Sequence, residues 1–476
     1  MNEYVPMNTC ISDISNYNTN MQDILINGNM SHMPVSRNIP DIPVNEPLLN
    51  GREKEFLCKC IDTGWISSDG PFVREFEEQF ASYLGVRYGI AVCNGTASLE
   101  TALYAAGIEE GDQVIMPTFT IISCALAAIR LGAEPVLVDI EPETWCMDVK
   151  QLASKANKVD KAGIEAKNGN KQLKAIMPVH IYGHPVDMDP VVKVAQRYGL
   201  KVIEDAAEVH GAEYLSKLLP EDKFDNTSNN MSNIEDRNID SRAGESGTEK
   251  SETWTSGSGR GGSGKRGTWK KCGSIGNVAA FSFYANKIIT TGEGGMVVTD
   301  DPLMAERARA YRNLSFRPER RFYHTELGYN FRMTNLQAAI GLAQLERVEE
   351  FIAIKRRLGA YYRERLAAIP GVRFQTEKPW AKSVYWMYAI ELDPELGIDA
   401  ETVRSRLKEN NIGTRPFFMG LHTQPVLKKM GFCLDESSYP HADQAYKYGL
   451  YLPSGLTLTE EKIDLVCKSL AMVLRG

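Results

Sequence analysis

One lysine, Lys287, stands where an amine could act as a nucleophile. The apolar run from Val278 to Tyr284 predicts a buried strand that delivers this lysine into the glycine-rich segment TTGEGG, residues 290–295. Glycines let the backbone approach a ligand closely. A lysine held at a strand end and partly removed from water has a lowered pKa and can form a Schiff base. The alternative is a solvated surface lysine, which is the commoner case, so the interpretation depends on the rest of the chain.

The elements that must position this lysine alternate along the sequence. Between residues 112 and 210 apolar strands are separated by helical segments, which indicates βαβ units and a largely parallel sheet. Ligands bind such sheets at the carboxyl ends of the strands, where Phe119, Asp205 and Ser282 fall. Asp205 follows the apolar segment KVIE, so its carboxylate is placed to pair with a buried cation. A helix N-cap is the alternative role for Asp205.

A third feature is a turn that predicts an anion site. Residues 90–108 read as a short strand, a turn of small residues and a helix. Free N–H groups and the helix dipole at such a turn favour a phosphate. A capping role explains Thr96 or Ser98 equally well. The residues predicted at the anion site are Gly95, Thr96 and Ala97.

Composition limits the class of protein. The chain has 476 residues, of which 43% are hydrophobic and 24% charged, enough for a large core and two domains. A net charge of −7 without a basic stripe argues against nucleic-acid binding. The nine cysteines show no metal-binding spacing, which indicates reduced thiols. Since neither a signal peptide nor a membrane-length apolar run is apparent, we expect a cytoplasmic protein with no membrane partner.

We expect three regions and one insertion. Residues 1–41 are polar and aperiodic, which predicts a disordered extension. Residues 42–345 predict a large α/β domain, and residues 346–476 a smaller α+β domain with two strands and several helices. A low-complexity insertion is predicted at about residues 217–268, because only six positions between 221 and 267 are apolar. Such a segment cannot bury enough surface to order itself.

Several short motifs carry a family resemblance. In chain order they are NGTAS, PTF, EDAAEVHGAEY, FSFYANK, TTGEGGMVV, GYNFRMTN and TRPFF. Together they resemble the DegT/DnrJ/EryC1/StrS family of pyridoxal-phosphate sugar aminotransferases over roughly residues 42–476, apart from the insertion. The resemblance implies the fold of PLP-dependent transferases of type I, which is aspartate aminotransferase-like. It also implies transfer of an amino group from glutamate to a nucleotide-linked ketosugar, with pyridoxal 5′-phosphate as cofactor.

The same resemblance implies roles for the cofactor-binding residues. Lys287 would hold the cofactor as a Schiff base and then move a proton between two carbons. Asp205 would keep the pyridinium nitrogen protonated, so that the ring acts as an electron sink. Phe119 would stack on the ring, although a core phenylalanine is the alternative. The phosphate would be bound by Thr96, Ala97 and Ser282.

The remaining matched positions concern the second subunit and the substrate. Asn330 would reach the phosphate of the neighbouring subunit, which implies a homodimer with shared sites. Glu208 stands where many members of the family carry glutamine. Arg415 and His422 lie in a loop that contacts substrate in relatives, although an arginine is more often a surface cation.

Two alternatives stay open from the sequence. The first concerns the nucleotide of the substrate: the ketosugar could be a 3-keto or 4-keto sugar linked to UDP or dTDP, or a ketosugar linked to a different nucleotide. The chain could also be a catalytically idle regulatory or scaffold protein that uses the insertion as an interaction arm. A set of residues that includes Lys287 and Asp205 argues against the idle protein, because a binding role does not need them. Family members that are sugar dehydratases carry histidine at the lysine position, and Lys287 argues against that activity.

Overall fold

The computed structural model describes residues 41–165, 172–218, 267–316, 320–432 and 438–475, with side chains given for all of these except 160–165. The predicted N-terminal extension, apart from Asp41, and most of the predicted insertion lie outside the described residues. The division of the rest into two domains stays a prediction.

A seven-stranded sheet forms the centre of the described chain. One strand, β9 (Gly295–Thr299), runs antiparallel to both of its neighbours, and all other pairs of neighbouring strands are parallel. This confirms the predicted mostly parallel sheet. In spatial order the strands are β1 (Tyr88–Val92), β9 (Gly295–Thr299), β8 (Val278–Ser282), β5 (Lys201–Asp205), β4 (Gln172–Ile176), β2 (Asp112–Pro117) and β3 (Glu134–Val138).

Helices cover the sheet. In the described ranges none of the helices combines the length and apolarity that a membrane span requires. From the N-terminus they are α1 (Glu53–Thr63), α2 (Pro71–Leu84), α3 (Gly95–Ala105), α4 (Ser123–Arg130), α5 (Val149–Glu165), α6 (Met188–Tyr198), α7 (Pro302–Arg312) and α8 (Asn335–Leu345).

Helix α2 fixes the strand that leads to Lys287. Its buried phenylalanines recur at a spacing of four residues, which places them on one face of the helix. The ring of Phe76 lies 5.1 Å from that of Phe283, and the ring of Phe80 lies 5.0 Å from that of Phe281. All five residues of β8 are buried. The end of β8 is therefore fixed by its burial and by the ring contacts with α2.

The C-terminal part builds a second, antiparallel sheet with its own apolar core. The order of its strands is β10 (Val372–Phe374), β12 (Tyr388–Leu392), β14 (Gly449–Leu452) and β13 (Arg415–Pro416). The helices of this part are α9 (Val348–Leu366), α10 (Ala400–Glu409), α11 (Pro425–Lys429), α12 (Pro440–Tyr448) and α13 (Glu460–Arg475). Ile42, near the start of the described chain, joins this core and exchanges backbone hydrogen bonds with Asn411 and Gly413.

A buried carboxylate ties β5 to the segment before β8. Glu204 is fully buried and accepts hydrogen bonds from the Nε2 of His180 and from three backbone N–H groups between residues 273 and 276. The N–H of Val186 donates to Nδ1 of His180, so the proton of a neutral His180 lies on Nε2. Burial alone would raise the pKa of Glu204, but these hydrogen bonds outweigh it and lower the pKa. The neighbouring residue, Asp205, is thus held on a fixed backbone.

A third small sheet flanks the predicted insertion. Its strands are β11 (Ala381–Lys382), β6 (Glu213–Ser216) and β7 (Thr268–Lys271), and β6 pairs with β7 antiparallel. Ser216 lies opposite Thr268 in this ladder. The two ends of the segment 219–266, which lies outside the described residues, are therefore adjacent.

Because these ends are adjacent, the segment should be dispensable for folding. Replacing residues 219–266 with a short hairpin turn should leave the midpoint of urea unfolding and the catalytic turnover largely unchanged, since strands paired this way are closed by turns of two to five residues and loop-closure entropy depends weakly on length. Circular dichroism and turnover of the two chains provide the measurement. An unfolded or inactive deletion variant would contradict the prediction and give the segment a structural role.

Candidate active site

A cavity of about 510 Å³ opens where β5 and β8 end. Residues from the seven-stranded sheet and from the C-terminal four-stranded sheet line it, as does the N-terminus of α3. A volume of this size suits a small-molecule ligand. Of the residues predicted from the sequence, the structure brings together at this cavity Gly95, Thr96, Ala97, Asp205, Glu208, Ser282 and Lys287.

The side chain of Lys287 is nearly buried in this cavity, with 11% of its surface exposed. Its Nζ lies 3.7 Å from Oε1 of Glu208 and 3.8 Å from the centroid of the Trp386 ring. Burial lowers the pKa of Lys287, and the carboxylates of Glu208 and Asp205 partly oppose that effect. The amine is therefore more often uncharged than a surface lysine, which a nucleophile requires.

The carboxyl group of Glu208 is the nearest acid to this amine. Its Oε2 accepts a hydrogen bond of 2.8 Å from the backbone N–H of Tyr182. Burial raises the pKa of Glu208 to about 7, while the nearby Lys287 opposes the rise. Burial thus disfavours the charged form of both partners, which brings their pKa values closer together and makes them a coupled pair.

Two hydrogen-bond donors fix the orientation of the Asp205 carboxylate at the cavity. The backbone N–H of Ala207 donates to Oδ1 at 3.1 Å, and the thiol of Cys124 donates to Oδ2 at 3.1 Å. Burial raises the pKa of Cys124 well above its usual value, so the thiol keeps its proton. A turn follows Asp205, so the alternative of a helix N-cap is wrong.

The N-terminus of α3 is capped by a residue that the sequence reasoning missed. Asn94 accepts a hydrogen bond of 2.8 Å from the N–H of Ala97, which is the usual N-cap arrangement. Thr96 instead shares a hydrogen bond with Ser123, and Ser98 donates to the carbonyl oxygen of Met296. Asparagine directly before the segment GTAS was the signal that could have identified the cap.

Gly95 brings this helix end against the end of β8. A Cβ at Gly95 would lie 2.7 Å from the Cβ of Ser282, closer than real contacts allow. The first N–H groups of a helix have no partner within it. The Ser282 hydroxyl and these N–H groups therefore face the same end of the cavity, where they form a donor set that fits a phosphate.

Phe119 is not at the cavity. Its side chain is fully buried and packs against the rings of Tyr182, Phe417 and Phe418 at centroid distances of 5.7 to 6.2 Å. In this structure Phe119 therefore lies in the buried core, as in the alternative given for it, and its stacking on the cofactor stays a prediction. Ile121, two residues further on and 48% exposed, lines the cavity instead. The motif PTF placed the loop correctly, but this loop is a bend after β2, in which Phe119 packs inward while Thr120 and Ile121 line the cavity.

The structure also keeps His422 away from the cavity lining. Its Nδ1 bonds to the hydroxyl of Thr118 at 2.7 Å, and its Nε2 bonds to Asp443 at 3.0 Å. Both ring nitrogens are therefore engaged in holding the loop. The role of His422 in substrate binding stays a prediction.

Arg415 and Asn330 lie beside the cavity, outside its lining. Arg415 is exposed on β13, where it pairs with Tyr451, and Tyr451 lines the cavity. Asn330 is exposed and precedes Phe331, which also lines the cavity. The roles of Arg415 and Asn330 stay predictions.

The C-terminal part contributes residues that the sequence did not indicate. Trp386 closes one side of Lys287, and its Nε1 donates to the carbonyl oxygen of Asn286 at 2.6 Å. Phe418 and Tyr451 line the same side. These residues come from distant parts of the chain, so no local motif predicts that they meet Lys287.

The geometry predicts that Gly95→Ala weakens binding of a phosphate-bearing ligand. The added methyl must displace Ser282, which removes donors from the phosphate end of the cavity. Binding of pyridoxal 5′-phosphate should weaken about tenfold or more, equal to at least ~1.4 kcal/mol. Binding of pyridoxal, which lacks the phosphate, should change little, and calorimetry of the folded variant measures both. An equal loss for the two ligands would show that Gly95 does not shape a phosphate site.

Known proteins resemble this chain over nearly its whole length. The chain is 37% identical over 440 residues to GDP-perosamine synthase of Caulobacter vibrioides, covering 92% of this chain and 99% of the relative. It is 35% identical over 429 residues to GDP-perosamine synthase of Escherichia coli O157:H7, covering 90% and 97%. The crystal structure of S. venezuelae DesV in complex with a ketimine intermediate superposes with a TM-score of 0.72 at 26% identity, covering 92% of this chain and all of that one.

The fold predicted from the sequence is confirmed by this likeness to solved structures, which extends to a DegT DnrJ EryC1 StrS aminotransferase from Brucella abortus with a TM-score of 0.69 at 26% identity, covering 89% of this chain and 95% of that one. The model of the DegT/DnrJ/EryC1/StrS aminotransferase family matches residues 47–226 and 256–471. Since these ranges make up most of the sequence, the chain belongs to the DegT/DnrJ/EryC1/StrS aminotransferase family.

Proposed function

We propose that the protein transfers an amino group from glutamate to the 4-keto carbon of GDP-4-keto-6-deoxymannose, which gives GDP-perosamine. The observation that carries the proposal is the meeting of Lys287, Asp205 and the α3 N-terminus in one cavity. The choice of sugar follows the two GDP-perosamine synthases to which the chain is similar. We further propose that the reaction takes place in the cytoplasm and supplies polysaccharide assembly, such as that of an O-antigen.

Pyridoxal 5′-phosphate is the cofactor of the reaction. When bound, it supplies an aldehyde for the amino group and a ring that acts as an electron sink. The residues of the cavity fit it by their chemistry. Gly95 and Ser282 leave room for a phosphate at the end of α3, Asp205 offers a carboxylate to a ring nitrogen, and Lys287 offers an amine to the aldehyde.

Lys287 has two tasks in this proposal. Its Nζ holds the cofactor covalently and, once the incoming amine displaces it, carries a proton between two carbons. Both tasks need an amine that loses its proton more readily than a surface lysine does. The burial that lowers the pKa of Lys287 and the acid at 3.7 Å, Glu208, meet this requirement. Glu208 takes up and returns the proton of Nζ.

Asp205 keeps the ring nitrogen protonated. The carboxylate is held by Ala207 and Cys124, so it does not rotate away from the cavity. A fixed buried anion favours the protonated form of a nearby nitrogen. With its nitrogen protonated, the bound cofactor would be a stronger electron acceptor.

The anionic substrates need a cation besides Lys287. Of the side chains that line the described cavity, Arg130 is the other cation; half of its side chain is exposed, and its Nε lies 2.9 Å from the buried Oε2 of Glu100. We assign Arg130 to the carboxylate of glutamate or to the diphosphate of the sugar nucleotide. An arginine binds both groups through paired N–H donors.

We propose a homodimer in which Asn330 reaches the phosphate bound by the other subunit. The segment before Asn330 exposes large apolar side chains, with Phe322 81% and Leu327 83% exposed. Apolar patches of this kind support protein contacts. The position of Asn330 next to Phe331, at the edge of the cavity, agrees with a site completed across the dimer.

A panel of ketosugar nucleotides tests the proposed reaction. The protein loaded with cofactor should release 2-oxoglutarate from glutamate with GDP-4-keto-6-deoxymannose, and at least tenfold faster than with UDP- or dTDP-linked 3-keto or 4-keto sugars, a difference of ~1.4 kcal/mol in the barrier. Lys287→Ala should abolish release with every acceptor. Equal or faster turnover of a UDP- or dTDP-linked sugar would refute the choice of substrate, and no turnover with any acceptor would favour the idle protein.

Mixed dimers test the shared site. Asn330→Ala should weaken cofactor retention by ~1.5–3 kcal/mol, the value of a hydrogen bond to a charged group. In a dimer of Asn330→Ala with Lys287→Ala, one site combines the intact lysine of the first chain with the intact asparagine of the second. At limiting cofactor, activity should therefore rise above that of either variant alone after subunit exchange.

Exchange is verified by native mass spectrometry of tagged chains. If exchange is complete and activity only averages, Asn330 serves its own subunit and the shared-site model fails. Mixing Lys287→Ala with itself under two tags is the matched control and should stay inactive.

A further inference from the structure

A second buried lysine, Lys355, lies outside the cavity on α9. Only 2% of its surface is exposed, and its Nζ donates to the carbonyl oxygens of Trp386, at 2.8 Å, and Ser454. In the described part of the chain no carboxylate forms an ion pair with it. Burial accordingly lowers the pKa of Lys355 to about 7, without an opposing charge. A lysine buried without an anion is rare in proteins and costs stability, which raises the question of its purpose.

The two carbonyl groups that Lys355 binds belong to two chain segments. Each segment is linked by hydrogen bonds to the residue just before the reactive lysine. The indole of Trp386 lies over Nζ of Lys287, and its Nε1 donates to the carbonyl oxygen of Asn286. The N–H of Ser454 donates to Val44 at 2.8 Å. The residue after Val44, Asn45, donates its Nδ2 to the same carbonyl oxygen of Asn286 at 2.6 Å.

Both routes therefore converge on the residue immediately before Lys287. Two backbone carbonyl groups that face one buried point need a donor there, since each left unpaired would cost about 1–3 kcal/mol. An amine on a long, unbranched stem reaches both of them from α9. An apolar side chain of the same length would fill the space but could not hold the two segments together.

We propose that Lys355 is a positioning residue, which clamps the backbone of Trp386 and Ser454 so that the indole stays over the amine of Lys287. The proposal deepens the proposed function, because it rests on Lys287 acting as the reactive amine. Lys355 itself does not line the cavity and, in the described part of the chain, forms no hydrogen bond or ion pair with Lys287. Its effect passes through the two segments that it binds.

The indole face acts on the charge of Lys287 in a definite direction. An aromatic face favours an ammonium group over the neutral amine, so the ring opposes the lowering of the pKa by burial. The other ionisable groups that act on this amine are Glu208, Asp205, Cys124 and His210. None of these is bound by Lys355, so a change at Lys355 should reach the amine through the segments of Trp386 and Ser454, and the ring of Trp386 is the part of them that contacts the amine.

The test measures the amine of Lys287 in the protein without cofactor. Lys287 is labelled with glycolaldehyde and cyanoborohydride at a series of pH values, and the labelled peptide is quantified by mass spectrometry. In Lys355→Met the midpoint of labelling should fall by about half to one pH unit, which corresponds to the loss of one cation–π contact. Circular dichroism at each pH establishes that the variant is folded.

Tyr362→Phe is the matched control. Tyr362 lies on the same helix, is 1% exposed and donates to the carbonyl oxygen of Pro453 at 2.9 Å, next to Ser454. It makes no hydrogen bond to Trp386. Its substitution removes a buried hydrogen bond of the same kind and should leave the labelling midpoint of Lys287 unchanged.

Three outcomes overturn the proposal. An unchanged midpoint in folded Lys355→Met would show that Lys355 does not act on Lys287, and an equal fall in Tyr362→Phe would reduce its role to general stability. If Lys355→Met does not fold, Lys355→Gln takes its place, since its shorter amide cannot donate to both carbonyl groups: a lower midpoint supports the proposal and an unchanged one rejects it. Because labelling needs neither cofactor nor sugar, failure of the proposed function would leave this measurement intact.

Discussion

The rest of the structure depends on keeping one amine, that of Lys287, almost out of contact with water. Transfer of a lysine side chain from water into a protein disfavours its charge, and the surroundings of Lys287 adjust how far that effect goes. Glu208 at 3.7 Å and the Trp386 ring at 3.8 Å favour the ammonium form, whereas burial favours the free amine. The balance lowers the pKa of Lys287 below that of an exposed lysine, but less than burial alone would lower it.

Such a balance requires a rigid frame, because electrostatic and ring contacts change steeply with distance. The parallel sheet supplies one half of that frame. The phenylalanine rings of α2 pack on β8, and Glu204 joins β5 to the segment before β8 through three hydrogen bonds. Asp205 and Lys287 therefore keep their separation without any direct bond between them.

Local sequence patterns predicted the residues that sit at strand and helix ends. Lys287, Asp205 and the turn at Gly95 were identifiable because an apolar run followed by small residues predicts both the element and the point where it stops. Side-chain direction within a loop is set by packing, which explains why Phe119 is buried and Ile121 faces the cavity. These residues form a bend after β2 without the alternation of a strand, so the sequence alone does not decide which of their side chains faces the cavity.

The contribution of the C-terminal part was beyond local patterns for a different reason. Trp386 and Tyr451 are separated from Lys287 by about 100 residues or more, and only the packing of the two sheets brings them to the cavity. The parallel sheet thus fixes where the amine and the aspartate stand, while the antiparallel sheet supplies the dry surface against which the amine rests. Since the carbonyl of Asn286 accepts hydrogen bonds from both Asn45 and Trp386, a movement of either segment would act on the backbone that carries Lys287. The chemistry of the lysine is in this sense a property of the contact between the two sheets as much as of the strand that delivers it.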